Sequence, residues 1–398
     1  MKNRFRHTFV LVIIFITVAC AGVAHADVRL EWQRGSAEWV ARGGYARVRK
    51  LSTGDLGLVF SRGQDIFFKK RPAAGGAWRA EVRAAFPPKR NTYLYTNAEL
   101  TELTDGTLLL VWNARPLAGD RDGDNNSGGG LPYKIMAAFS RDGGATWEEQ
   151  RDLYLAGTTS HEGCWEPCSL QQPDGELQVW FANEHTLPPG DQNISVLRSR
   201  DGGKTWLPPV VASYRAGHRD GMPVPVRLQD GSVVAAIEDN GFSGTFKPVI
   251  IRPDAAFQTV VNGGSTNRWG ALAQRAELPP ETYAGAPYLI QLGSGEMVLS
   301  LQSTEGRRNE AHKFANLRVY VGDAAARNFD HPTTPFPDLP ANAAALWNSL
   351  CQVDADHLLA VATLSGLPES NGVWLVTAKI IREPMPLGGT SPTNPRSK

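Results

Sequence analysis

The stretch that decides the fold is Gly163-Cys-Trp-Glu-Pro-Cys-Ser-Leu-Gln-Gln-Pro-Asp-Gly-Glu-Leu-Gln-Val-Trp-Phe-Ala-Asn-Glu184. It reads as a β-hairpin. An extended run enters Ser169–Gln172, Pro173-Asp174-Gly175 supplies the turn, and alternating strand residues resume at Leu177. Glu166 stands where the first strand begins, between Trp165 and Pro167.

The same hairpin recurs five more times. Val48–Phe60 turns at Gly54, Leu100–Trp112 at Gly106, Val226–Ile237 at Gly231, and Leu289–Leu301 at Gly295. Leu350–Ala362 turns at Asp356, a residue type that tolerates the left-handed conformation usually given to glycine. The turns are separated by 52, 69, 56, 64 and 61 residues, each interval long enough for about four strands with their connections. Gly 40 and Pro 27 suit a chain of tight turns, and long stretches of helical period are scarce. The expected fold is all-β: a six-bladed β-propeller of four-stranded antiparallel blades, whose radial closure protects the sheet edges.

Ser140-Arg-Asp142-Gly-Gly144-Ala-Thr146-Trp147 and Ser199-Arg-Asp201-Gly-Gly203-Lys-Thr205-Trp206 share the pattern Ser-x-Asp-x-Gly-x-Thr-Trp. Chemically this is a strand turn, in which Asp accepts backbone N–H groups, Gly supplies the unusual dihedral and Trp packs into the blade. Placed between the third and fourth strands, it falls at the turn end of the hairpins and leaves the opposite face free. Antiparallel pairing brings to that face the residues nine before each turn and seven after it. The first set is Tyr45, Asn97, Glu166, Met222, Ala286 and Trp347, and the second is Ser61, Asn113, Ala182, Glu238, Gln302 and Thr363.

Only Glu166 and Glu238 carry carboxylates among these twelve, and they belong to consecutive blades. Two carboxylates converging on one cavity are what glycoside hydrolysis requires, so both are candidate catalytic residues. Around them Tyr45, Arg47, Asn97, Trp165, Arg219, Asp220 and Trp347 are candidate substrate-binding groups, the aromatics as faces for sugar rings. Glu99, Arg115, Glu184 and Asn240 project to the same rim.

The Ser-x-Asp turns resemble the Asp-box of the sialidase superfamily, where the motif is structural. Trp165-Glu166-Pro167, Arg219-Asp220-Gly221-Met222-Pro223, Glu238, Gly285-Ala286-Pro287 and Leu346-Trp347 resemble, more narrowly, glycoside hydrolase family 93, the exo-arabinanases. Glu166 and Glu238 lie 72 residues apart, as that family's catalytic pair does. The resemblance implies a retaining exo-hydrolase that releases a disaccharide from the non-reducing end of α-1,5-arabinan. Asp239 beside Glu238 would help it hold a proton, which favours Glu238 as acid/base and Glu166 as nucleophile. An exo-α-sialidase and a non-catalytic carbohydrate-binding propeller are the rival readings. The first blade reads Gly43-Gly44-Tyr45-Ala46-Arg47, without the Arg-Ile-Pro that sialidases resemble one another in, and with Ala46 where the arabinanases suggest proline.

A formal net charge of +1 leaves no electrostatic footprint for nucleic acid. Residues 1–26 read as an export signal, with Lys2, Arg4 and Arg6, the apolar run Phe9–Val18, and Ala24-His25-Ala26 before the cleavage point. The propeller is then expected over 27–385 with a flexible tail at 386–398. The mature protein is expected outside the cytoplasm, as a monomer with a carbohydrate substrate and no membrane contact beyond export. Cys164, Cys168 and Cys351 leave at least one free thiol and read as small buried fillers. The acidic loop Gly119–Gly130 fails the calcium-loop spacing, so neither metal nor cofactor is expected.

Overall fold

The computed structural model describes residues 27–117, 130–148, 150–241, 245–272, 278–308, 311–367 and 369–383. The expected export signal, the tail and most of the acidic loop lie outside the described residues. Blade one is β3 (Gly44–Lys50), β4 (Leu56–Arg62), β5 (Asp65–Arg71) and β6 (Val82–Ala85). Blade two is β7 (Tyr93–Glu102), β8 (Leu108–Pro116), β9 (Lys134–Ser140) and β10 (Arg151–Leu155). Blade three comprises β11 (Cys164–Gln171), β12 (Leu177–Asn183), β13 (Asn193–Ser199) and β14 (Leu207–Tyr214). In blade four β15 (Asp220–Arg227), β16 (Val233–Asp239), β17 (Lys247–Ile251) and β18 (Arg268–Gly270) follow the same order. Blade five has β19 (Ala284–Gln291), β20 (Met297–Ser303), β21 (Asn316–Gly322) and β22 (Asp330–Thr333).

Blade six mixes the two ends of the chain. β23 (Ala344–Gln352), β24 (His357–Ser365) and β25 (Gly372–Glu383) are completed by β1 (Asp27–Trp32), while β2 (Glu38–Ala41) also pairs with β25. Pairing the first strand with the last closes the ring with hydrogen bonds, so neither neighbour presents a raw edge there. The protein is thus a six-bladed, four-stranded antiparallel propeller. Among the described residues the only helices are three single 3₁₀ turns.

The core lies in layers between neighbouring blades. Val59, Ile66 and Phe68 of blade one meet Leu100, Leu110 and Trp112 of blade two. Val179 and Phe181 meet Val111 and Ile135 across the next junction, and Trp180, Ile194 and Val196 meet Ile237, Val249 and Ile251 across the one after. Strands buried on both faces explain why the hairpins read as near-continuous apolar runs rather than clean alternations. Cys164, Cys168 and Cys351 are all unpaired and buried within this packing.

Both Ser-x-Asp turns join third to fourth strands. Thr146 donates its N–H to Asp142 Oδ1 at 2.9 Å and its hydroxyl to Oδ2 at 2.5 Å, holding the exposed Asp142 carboxyl down near pKa 2. Gly144, at φ +91°, presses on the preceding blade: a Cβ there would sit 2.1 Å from the Phe68 ring. Gly203 does the same to Phe139 at 2.5 Å. Gly144→Ala is therefore expected to destabilise the fold by roughly 1–3 kcal/mol, since both the dihedral and the space forbid a methyl group. Urea unfolding of the variant checks this, and an unchanged midpoint would refute the account.

Candidate active site

The face opposite the turns is built by a feature repeated in every blade. Each first strand carries a β-bulge, and the residue nine before the turn adopts a left-handed backbone. The six φ values are +51° for Tyr45, +53° for Asn97, +53° for Glu166, +50° for Met222, +48° for Ala286 and +54° for Trp347. Register shifts bracket all six positions. Only asparagine adopts this conformation readily, so five of the six are strained, and the ring must hold them there. The left-handed bulge lifts the side chain out of the strand's alternation and frees its N–H.

That N–H is taken up across the blade junction. Tyr45 N donates to Thr363 Oγ1 at 2.9 Å, Trp347 N to Gln302 Oε1 at 3.0 Å, and Ala286 N to Glu238 Oε2 at 2.7 Å. In all three the acceptor is the residue seven after the turn of the preceding blade. Blade three has Ala182 at that place, which cannot accept, and Met222 N instead hydrogen-bonds the Glu166 carboxylate. Each glutamate is therefore fixed by the bulge N–H of the blade that follows its own.

Glu166 and Glu238 are both half-buried and electrostatically in contact. Burial, reinforced by the Glu166 charge, pushes Glu238 up to about 7. Glu166 is also raised by burial, but Arg115 and Arg219 both oppose the shift, whereas of the two only Arg219 acts on Glu238. The Glu166 charge thus helps to keep the proton on Glu238, while Arg115 and Arg219 favour the charged form of Glu166. The charge that acts on Glu238 is that of Glu166, not of its sequence neighbour. Asp239 points to the other side of β16, where it is bound by Arg268 and Arg215.

Two glycines shape the space around Glu238. A Cβ on Gly221 would meet Gln192 Oε1 at 2.9 Å and Glu238 Oε1 at 3.1 Å, and one on Gly285 would meet Glu238 Oε2 and the Tyr283 hydroxyl, each at 2.6 Å. Tyr283 therefore lies against Glu238, and its hydroxyl accepts a hydrogen bond from Gln302 Nε2 at 2.7 Å. Burial and the two glutamate charges hold that phenol well above its ordinary pKa, so it is a proton donor at any working pH.

The other candidates divide into surface and support. Half-buried Trp165 and Trp347 line the face, Trp165 with the Arg115 guanidinium 4.8 Å from its ring centre and Trp347 against Tyr45 at 5.6 Å. Arg219, with 42% of its side chain exposed, is held by Glu184 at 2.9 Å. Four expected contacts are buried and act beneath the surface instead. Arg47 pairs with Glu99 at 3.1 Å, donates to Asn348 O and underlies the Tyr45 ring at 4.2 Å. Asn97 is spent on Arg115, whose Nη2 donates to it at 2.6 Å. Tyr45 is buried against Met222 and Ala286. Asp220 is bound by Arg268 and Ser213.

Arg47, Glu99 and the Tyr288 hydroxyl plug the ring's centre. A cavity of about 10 Å³ remains below Glu166, room for roughly one water. The site consequently opens to one face.

Arg115, Tyr283, Gln302 and the positions of Gly221 and Gly285 complete the arrangement. A glycine immediately before the bulge residue, as in Gly44-Tyr45, Gly221-Met222 and Gly285-Ala286, is the sequence signal for the last two. Tyr283 has none, because it lies before the strand and not in the hairpin count.

A ring of six four-stranded blades with this inner face is the sialidase-like propeller fold. Solved structures that share it include a protein of unknown function from Dyadobacter fermentans, 14% identical, covering 89% of this chain and 99% of that one at TM-score 0.65. An α-L-arabinofuranosidase of Fusarium graminearum bound to an iminosugar inhibitor is 19% identical over 90% of this chain and 97% of its own, at TM-score 0.63. The NanB sialidase of Streptococcus pneumoniae is 12% identical, covering 90% and 70% at TM-score 0.58. No family model matches the sequence, and no curated protein does.

Proposed function

We propose that the protein is a retaining exo-glycosidase acting on α-L-arabinan-type chains from the non-reducing end. The observation that carries the reading is the unequal glutamate pair on a one-mouthed face, with one carboxylate flanked by two arginines and the other holding its proton to about 7. Glu166 attacks the anomeric carbon while Glu238 passes its proton to the departing glycosidic oxygen. Water then enters, Glu238 takes its proton, and the bond from Glu166 to the sugar breaks. Tyr283 supports the acid/base residue by donating to it when it is charged.

Arabinobiose occupies both the Fusarium graminearum enzyme and a Penicillium chrysogenum α-L-arabinanase of the same fold, which favours arabinan here. A sialidase asks for three arginines on the substrate carboxylate. Arg47 is buried under Tyr45, Arg115 is committed to Asn97 and Asn113, and Arg219 to Glu184, which weighs against that substrate. The export signal read at residues 1–26 supports a secreted or periplasmic enzyme.

Release of arabinobiose from linear α-1,5-arabinan, set against release of sialic acid from sialyllactose, tests the proposal. The kcat/KM profile is expected to be bell-shaped. It falls on the alkaline side as Glu238 deprotonates near pH 7, and on the acid side as Glu166 takes up a proton. A profile flat from pH 5 to 9 (on the order of four pH units) would exclude Glu238 as the acid.

A further inference from the structure

A cavity of about 640 Å³ lies on the opposite side of the disc, between the turn ends of blades three and four. Its size falls within the ~300–1,000 Å³ of small-molecule sites and far exceeds what a simple inorganic anion fills. Arg198 near the end of β13 and Arg252 just beyond β17 stand in its wall, with Phe257, Val233 and Pro253 as apolar surface. Phe257 is held at φ +56° with its ring edge-on to the buried Trp180 at 5.4 Å.

Three arginines and three carboxylates stand in this wall, so its formal charges balance, but they are not paired one to one. Arg200 pairs with Glu176 at 3.1 Å, and the other Glu176 oxygen accepts from Gln178, so that acid is spent. Asp174 and Asp254 cap their own turns, Asp254 accepting three backbone N–H groups. Asp230, which feels the Arg252 charge, is exposed and bonded to Ser232. Among the described residues neither Arg198 nor Arg252 has a carboxylate partner. Their guanidinium carbons lie 5.8 Å from the Phe257 ring and 6.0 Å from the Trp269 ring, and the Nε–H of each is buried without an acceptor. Two guanidinium groups without a bonded carboxylate, flanking a cavity with an apolar wall, can receive an anion mounted on an apolar-faced body.

We propose that this cavity is a second binding site, distinct from the glutamate face, for a carboxylate-bearing sugar such as a uronate unit of an acidic polysaccharide. The guanidinium groups take the carboxylate, and Phe257 and Val233 take the C–H face of the ring. Such a site would anchor the protein on an acidic chain while the other face stays open.

Calorimetric titration of the whole protein with tri-galacturonate, a neutral trisaccharide of equal length and inorganic phosphate at physiological salt tests this. Saturable binding of tri-galacturonate alone is expected. Arg252→Gln and Arg198→Gln should each weaken it about 10- to 100-fold, while Glu166→Gln leaves it unchanged. Both arginine variants should keep wild-type kcat/KM on a small aryl glycoside. Absence of saturable binding to the wild type up to about 10 mM, equal binding of the neutral sugar, or undiminished binding in both variants would overturn the proposal. Phosphate bound as tightly as the uronate and lost in the same variants would overturn the sugar as ligand. Loss of tri-galacturonate binding in Glu166→Gln would return the ligand to the other face.

Discussion

Glu238→Gln should lower kcat/KM on arabinan by about 10²–10⁴-fold, with a much smaller loss on an aryl glycoside whose leaving group needs no proton. Glu166→Gln should lower both by at least about 10³-fold, because every substrate needs the nucleophile. The two roles separate further with added azide. Azide entering in place of Glu166 in Glu166→Ala attacks from the vacated side and gives a glycosyl azide of inverted configuration. In Glu238→Ala it intercepts the glycosyl-enzyme and gives the retained anomer. Swapped outcomes would exchange the assignments. Activity within about tenfold of wild type in both glutamine variants would remove the pair from the chemistry.

The largest structural effect is expected at Arg268. Asp220 and Asp239 face each other across β15 and β16, one residue beyond Gly221 and Glu238, and both are fully buried. Two like charges in that position repel, and the Arg268 guanidinium from β18 lies between them, bonding both and Ser213. Arg268→Met removes the cation and leaves the two carboxylates facing each other, with Arg215 the remaining cation on Asp239. The expected cost is about 3–5 kcal/mol, the range for breaking a buried pair from one side.

The pH dependence has a definite sign. Burial already raises the Asp220 carboxyl and Arg268 opposes that shift, so without the guanidinium its folded pKa lies further above the unfolded one and the native state binds more protons in between. Stability of the variant is then highest below the unfolded carboxyl range and is lost as pH rises through the folded values. Chemical denaturation at pH 5 and pH 8 (roughly either side of that window) checks this. A deficit independent of pH would mean that packing, not charge, is what Arg268 supplies. Because these strand ends carry Arg219 and Glu238, the variant should also lose activity at temperatures where it is still folded.

The strain at the inner ring ties fold to site. Side chains as different as Tyr, Asn, Glu, Met, Ala and Trp share one left-handed geometry because the position in the hairpin, not the residue, sets it. Counting nine residues back from each turn therefore located Glu166 and its five counterparts without any knowledge of the dihedral. The sixth turn shows the limit of that reading: Asp356 is not among the left-handed residues, and its N–H is held by Asp354 Oδ1 at 2.8 Å.

Counting from the turns was enough to establish six hairpins, the face on which their inner ends gather, and the two glutamates on it. Those follow from strand period and antiparallel pairing, which are local and survive without coordinates. Which polar groups reach that face was decided only by the closed ring. Arg47, Asn97 and Asp220 occupy the expected positions along the chain, yet each is drawn beneath the surface by a partner distant in sequence: Glu99, Arg115 and Arg268. The proton on Glu238 likewise depends on burial and on a carboxylate from the neighbouring blade, while adjacent Asp239 turns away. Electrostatics acts through space, and the alternation of a strand sends sequence neighbours to opposite sides.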